Sequence, residues 1–228
     1  MKVAALLSGG KDSIYSIYIA KSMGWDIKKT VIMKPENKDS WMYHNPNKGI
    51  PETQSKLMDI PYELVKTKGE KEEELKPLEK ALEKIKKEDE IEGFISGAIE
   101  SEYQRKRLSY IGEKLNLKSF CPLWKKNPEK LVEGQIKEGF EIIINKISSG
   151  AMDESWLGRK IDEEALEELK KIKEKLDINI AGEGGEYETT VLYSPIFKER
   201  IKIEKAEKKI KGPNRGIYEI QKISTNKK

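Results

Sequence analysis

The sequence predicts an α/β fold, a parallel-sheet domain over residues 1–124 followed by a smaller α+β domain over 125–228. Three observations predict it. Short continuous apolar runs alternate with helix-period stretches through the first half, the pattern of strands buried on both faces and joined by right-handed crossovers. The Gly-rich turn Ser8-Gly9-Gly10-Lys11-Asp12-Ser13 comes straight off the first such run. The pattern then changes after Phe120-Cys121-Pro122-Leu123-Trp124, where Pro122 and Pro128 bracket a domain junction.

Val3 to Leu7 reads as the first buried strand. Ile14 to Met23 carries apolar residues at helical spacing and stops at Gly24, and Lys29 to Met33 resumes as a strand. Pro35 to Pro51 is rich in Asn, Pro, Lys and Gly but contains Trp41, Met42, Tyr43 and His44, an aromatic cluster suited to a lid over a ligand. Pro51 to Met58 reads as a short helix with Pro at its start, and Tyr62 to Thr67 as the third strand. Within Lys71 to Lys87, Leu75, Leu78, Leu82 and Ile85 recur at three- and four-residue steps, with Glu and Lys filling the other face of a helix. Gly93 to Ile99 is a further buried strand, and Ser101 caps a helix running to Leu115. The second domain holds a helix from Pro128 to Glu138, a β-prone run Phe140 to Ile147 and an amphipathic helix Ile161 to Leu176. The remainder reads as β-strands joined by turns.

Composition narrows the function. Lys and Arg number 44 against 40 Asp and Glu, and this net charge of +4 is too small and too evenly spread to argue for nucleic acid. A single cysteine, Cys121, excludes an intramolecular disulfide, a CxxC redox pair and a multi-Cys zinc site within one chain. His44, the only histidine, leaves no material for a His-rich zinc site. No apolar run approaches the length of a membrane span and no signal-peptide pattern precedes the first strand, so a cytoplasmic protein beginning at Met1 is expected.

Ligands of open α/β sheets collect outside the carboxyl ends of the strands. Ser8 to Ser13 would lie there, its glycines letting the backbone approach an anion at a helix N-terminus and Lys11 adding a full charge. The spacing is not the Walker pattern. Ser96-Gly97-Ala98-Ile99 ends another strand, with Gly97 leaving room for a nucleotide or the neighbouring loop. In Tyr103-Gln104-Arg105, Arg105 suits a phosphate and Gln104 a base or ribose, unless the segment is a solvated basic face. In the second domain, Glu183-Gly184-Gly185-Glu186-Tyr187-Glu188-Thr189-Thr190 groups three carboxylates about a tight turn. Such a group suits Mg²⁺, an ammonium-like cation or general base catalysis; a hairpin with solvated glutamates is the plain alternative.

The loop at 8–13 resembles the SGGxDS loop of the N-type ATP pyrophosphatases, which cleave ATP to AMP and pyrophosphate while adenylating a substrate. With SGAI at 96–99, YQR at 103–105 and EGGEYET at 183–189 in this order over most of the chain, the sequence resembles the diphthine–ammonia ligase family, and EGGEYET is the most discriminating piece. The resemblance implies an adenine-nucleotide α-hydrolase-like (HUP) first domain and an AMP-forming C–N ligase. It implies that ATP with Mg²⁺ activates the carboxylate of diphthine on elongation factor 2 as an acyl-adenylate, that ammonium supplies the nitrogen, and that diphthamide, AMP and pyrophosphate result. ATP would be held by Ser8, Gly9, Gly10, Lys11, Asp12, Ser13, Ser96, Gly97, Ala98, Gln104 and Arg105. Lys11, Asp12, Glu183, Glu186 and Glu188 would serve the chemistry, with Asp12 preferred as a Mg²⁺ ligand over a helix cap. A tRNA-modifying ATP pyrophosphatase and an ATP- or AMP-sensing module are the rival readings. The balanced charge disfavours the first and the carboxylate group the second. A homodimer is expected from the apolar, β-rich second domain, Cys121 reads as a buried small hydrophobe, and Trp156 and Arg159 read as part of a protein-docking surface.

Overall fold

The computed structural model describes residues 1–35, 49–67 and 75–227, so the aromatic segment with Trp41, Met42, Tyr43 and His44 lies outside the described residues. The chain forms two compact units, Met1–Trp124 and Lys125–Lys228. Among the described residues no helix is long and apolar enough to cross a membrane.

The first unit runs β1 (Lys2–Leu6), α1 (Lys11–Ser22), β2 (Asp26–Pro35), α2 (Ile50–Leu57), β3 (Tyr62–Thr67), α3 (Leu75–Asp89), β4 (Gly93–Ile95), α4 (Glu102–Leu115) and β5 (Lys118–Phe120). Its five strands are all parallel, in the order β3-β2-β1-β4-β5. The chain steps outward from β1 to β3 and then returns to the other side of β1, so the winding reverses between β1 and β4. In doubly wound sheets that reversal opens a crevice at the strands' carboxyl ends. Central β1 is buried on both faces, with Val3, Ala4 and Ala5 wholly inaccessible. The periodic stripe of α3 does what its spacing predicts: Leu78, Leu82 and Ile85 pack with Phe94 and with Leu108 and Ile111 of α4 in one core cluster. Truncating one such leucine to alanine costs about 2–5 kcal/mol.

Two strand boundaries depart from the pattern by three residues or more. β4 ends at Ile95 rather than Ile99, because Ser96 makes a last bond to the Phe120 carbonyl (2.9 Å) and the chain then turns off the sheet. β2 starts at Asp26, three residues before the apolar run, because Asp26 and Ile27 already pair with Lys2 and Val3 of β1, whereas pairing with β3 begins only at Thr30. The capping signals hold. The Ser101 side chain accepts from the Gln104 N–H at the start of α4, and Asn116 closes that helix in the left-handed region at φ 49°.

The second unit contains α5 (Pro128–Lys137), β6 (Glu141–Ile147), a 3₁₀ turn at Glu154–Trp156, α6 (Glu163–Leu176), β7 (Tyr187–Tyr193), β8 (Glu199–Gly212) and β9 (Arg215–Lys227). Its four strands form an antiparallel sheet ordered β7-β6-β9-β8. Asn127 and Asp162 cap the two helices by accepting from Lys130 and Ala165 N–H groups. β8 and β9 form a long hairpin, with exposed Lys202, Lys205, Lys208, Lys209 and Lys211 along β8.

Trp156 and Arg159 are not a docking surface. Trp156 is buried, and the Arg159 guanidinium lies 4.5 Å from its ring centroid while gripping Glu168 bidentately at 2.6 and 2.7 Å. The hydrogen bond from Arg159 is the main cause that holds the Glu168 carboxyl below its ordinary value. A depressed carboxyl contributes stability that is present above its unfolded pKa and is lost as pH falls through the folded value. Glu168→Gln is therefore expected to destabilise the protein at neutral pH by up to about 1 kcal/mol, since the pair is partly solvated. In urea denaturation at decreasing pH, the difference from wild type should close once both carboxyl pKa values are passed.

Candidate functional site

The turn after β1 is tied by its own side chains at the start of α1. Gly9 takes φ 88°, a conformation that costs glycine little and other residues more. Gly10 occupies the cap position and supplies no side chain to the helix's first N–H groups. The two serines tie the turn together: Ser13 Oγ donates to the Gly10 carbonyl (3.0 Å), Ser8 and Ser13 hydroxyls lie 3.1 Å apart, and the Gly10 N–H donates to Ser8 Oγ (3.3 Å). Lys11 is almost wholly buried at 2% exposure and its Nζ lies 2.7 Å from Asp12 Oδ2. Asp12 sits in the first turn of α1 and is not its cap, which removes the capping alternative for this residue.

Two further elements hold this loop. From α2, the buried Gln54 donates its side-chain N–H to the Gly9 carbonyl at 3.0 Å, and a Cβ on Gly9 would meet Gln54 and Pro51 at 3.0 and 3.1 Å. Sequence reasoning missed Gln54; its only signal is a polar residue on the buried face of a short helix. From the other side, the turn after β4 comes into backbone contact. A Cβ on Gly97 would lie 2.7 Å from the Asp12 carbonyl carbon and the Ser13 nitrogen, closer than real Cβ atoms come. The loops after β1 and β4, adjacent strands at the winding reversal, thus meet at Gly97.

Ser96, Ala98, Gln104 and Arg105 surround the same strand ends. Ser96 Oγ is 3.2 Å from Cys121 Sγ at the end of β5, and Ala98 is buried. Arg105 lies over the Trp124 ring, 4.9 Å from its centroid, and pairs with Glu102 at 3.0 Å. Gln104, whose N–H is the one that Ser101 caps, precedes it on the first turn of α4. Burial pushes the Cys121 thiol up, against the Ser96 hydrogen bond and the Arg105 charge. Cys121 is half-buried rather than buried, and a protonated thiol is a poor nucleophile at neutral pH.

Glu183, Glu186 and Glu188 belong to the second unit, and they do not form one open group. Glu188, on β7, pairs with Lys146 of β6 at 2.7 Å. Glu186 folds back so that its Oε1 accepts from the Asn179 N–H at 2.7 Å, using the space that Gly184 leaves, while its Oε2 is buried with no hydrogen-bond partner. Glu183 stays on the half-buried turn before them. The Tyr187 hydroxyl donates to the Ile180 carbonyl and fixes the turn between. Among the described residues no three His, Cys, Asp or Glu side chains gather closely enough to hold a metal. A metal site built from these three glutamates alone is therefore not what the second unit presents.

Comparison with known proteins gives two adjoining matches. The family described as "Diphthamide synthase N-terminal domain" covers residues 1–119, and "Diphthamide synthase C-terminal domain" covers 127–225. The diphthine–ammonia ligase of Homo sapiens is 34% identical over 229 residues, covering 91% of this chain and 84% of that protein. That of Bos taurus is 33% identical over 228 residues, with the same coverage of 91% and 84%. The Schizosaccharomyces pombe protein of the same name is 30% identical over 217 residues, which are 88% of this chain but 36% of that longer one.

Proposed function

This chain belongs to the diphthamide synthase family and is a ligase; from that premise we propose that it carries out the ATP-dependent amidation of diphthine on elongation factor 2. The carboxylate of the acceptor attacks the α-phosphate of ATP, an acyl-adenylate forms and pyrophosphate leaves. Ammonia then attacks the acyl carbon, the C–O bond to phosphate breaks, AMP departs and the new amide loses one proton to a base. Adenylation is needed because a carboxylate oxygen is a poor leaving group, and the departing pyrophosphate needs cations and backbone N–H groups around it.

The close approach of the β4 turn to the β1 turn at Gly97 is the observation that carries this reading. An uncapped helix start, two serine hydroxyls and buried Lys11 lie at that contact, and doubly wound sheets bind nucleotides at such strand ends, which supports the reading. Ser8, Gly9, Gly10, Lys11 and Ser13 hold phosphates, while Ser96, Gly97 and Ala98 line the neighbouring strand end. Gln104 and Arg105 contribute from α4. Among the described residues no group of three His, Cys, Asp or Glu side chains forms a ready metal site, so Mg²⁺ would be held here by Asp12 together with the phosphates themselves; it would supply neutralisation of the phosphate charge. In the second unit, Glu186 takes the proton from ammonium, its buried Oε2 being an acceptor without a donor. Glu183 and Glu188 flank it.

The test is mass spectrometry of diphthine-bearing elongation factor 2 after incubation with this protein, Mg-ATP and an ammonium salt, with chromatography of the nucleotides. Conversion of the carboxylate to the amide, a loss of about 1 Da with one AMP per amide, is the expected outcome. An unmodified factor beside an active control ligase would overturn the reading.

A further inference from the structure

A β-bulge in the second unit places a second set of polar groups beside Glu188. β6 pairs with β7 so that Ile143 faces Thr190 and Lys146 faces Glu188, with a register shift between Ile144 and Lys146. Thr190 and Glu188 are two residues apart on β7 and share one face of the sheet, whereas Asn145 and Lys146 are neighbours that a regular strand would send to opposite faces. The extra residue cancels that alternation. Asn145 Nδ2 donates to Thr190 Oγ1 and Lys146 Nζ donates to Glu188 Oε1, both at 2.7 Å, so both side chains point to the Thr190–Glu188 face.

The bonding capacity of this pair is only partly used. Asn145 is 3% exposed, yet its Oδ1 has no hydrogen-bond partner, which is uncommon for a buried amide. The Glu188 bond engages one of the three N–H donors of the Lys146 ammonium. Two residues before Glu188, Glu186 Oε2 is likewise buried without a donor. This one stretch of sheet therefore offers a cation with donors to spare next to acceptors lacking donors. The proposed reaction takes up first a carboxylate, which only accepts, for adenylation, and then ammonia, which donates.

We propose that Asn145 and Lys146 are substrate-binding residues for the ligation, Lys146 pairing with the acceptor's carboxylate before it is adenylated and Asn145 Oδ1 accepting an N–H from the ammonia that follows. Glu188 holds the Lys146 ammonium in place for that contact. The proposal deepens the ligase reading and rests on it.

Steady-state kinetics of Lys146→Met and Asn145→Leu, with diphthine-bearing elongation factor 2, ATP and ammonium varied in turn, test it. Lys146→Met should raise KM for the protein acceptor at least about tenfold, and Asn145→Leu should raise KM for ammonium similarly, with KM for ATP within about twofold of wild type. Lys146→Arg should restore most of the acceptor affinity. If Lys146→Met fails to fold, Lys146→Gln keeps a hydrogen bond to the Glu188 carboxylate and should show the same acceptor defect. A role in packing alone predicts a lower thermal midpoint with acceptor and ammonium KM unchanged, and that result would overturn the proposal. Wild-type protein that forms no amide would instead sink the ligase reading and this one with it.

Discussion

Gly97→Ala should lower kcat/KM for ATP by about 10²-fold, the scale expected when a catalytic loop is displaced by an ångström. The new methyl group would meet the Asp12 carbonyl carbon and Ser13 nitrogen at 2.7 Å and the Asp12 carbonyl oxygen at 2.9 Å. These are backbone atoms and cannot swing aside, so the β1 loop or the β4 turn has to move. Overpacking of this kind costs about 1–3 kcal/mol of stability. Titration calorimetry with ATP, run beside thermal unfolding, separates the two effects. Gly150→Ala is the matched control: its Cβ would meet only Asn214 Nδ2, at an ordinary 3.7 Å. Full ATP affinity in Gly97→Ala would remove the loop contact from the account of the nucleotide site.

Glu186→Gln should abolish amide formation, by about 10²–10⁴-fold if the carboxylate is the base that deprotonates ammonium, and leave ATP binding intact. The substitution keeps the oxygen that accepts from the Asn179 N–H, so the turn retains its tie. What changes is the buried Oε2, which becomes an NH₂ that can neither take a proton nor accept from ammonia. Mass spectrometry of the acceptor gives the first readout and nucleotide titration the second. Normal turnover would remove Glu186 from the chemistry, whereas loss of ATP binding together with turnover would mean that the turn had collapsed.

Much of this arrangement is legible in the sequence, and the exceptions share a cause. The β1 run, the loop at Ser8–Ser13 and the α3 stripe are visible because each is a local signal that tertiary packing reinforces. Ser101 reads as a cap and is one. The short β5 and the early end of β4 escape because three-residue strands leave no period to detect; the partner strand defines them. Gln54 shows its role only when α2 packs against the loop. Trp156 and Arg159 look exposed in a polar segment because Glu168, the residue that buries their polarity, lies on the following helix. The bulge did leave a trace: Asn145 and Lys146 are adjacent polar residues in an otherwise apolar strand and so break its alternation. The three glutamates of the motif are equivalent by composition, and only the positions of Lys146 and Asn179 distinguish them.

The lysines of β8 also bear on how the protein behaves when concentrated. β8 is the outermost strand in its sheet order and runs for 14 residues, so its outer edge is a long template onto which another chain's strand could add. Five exposed lysines stand along it, and Lys205 directly faces Lys222 of β9, a like-charge pairing that gives up some stability. An incoming strand would have to desolvate that row of ammonium groups. The row thus works as a guard against fibre-like self-association, and its protection should weaken wherever those charges are acetylated or screened by high salt.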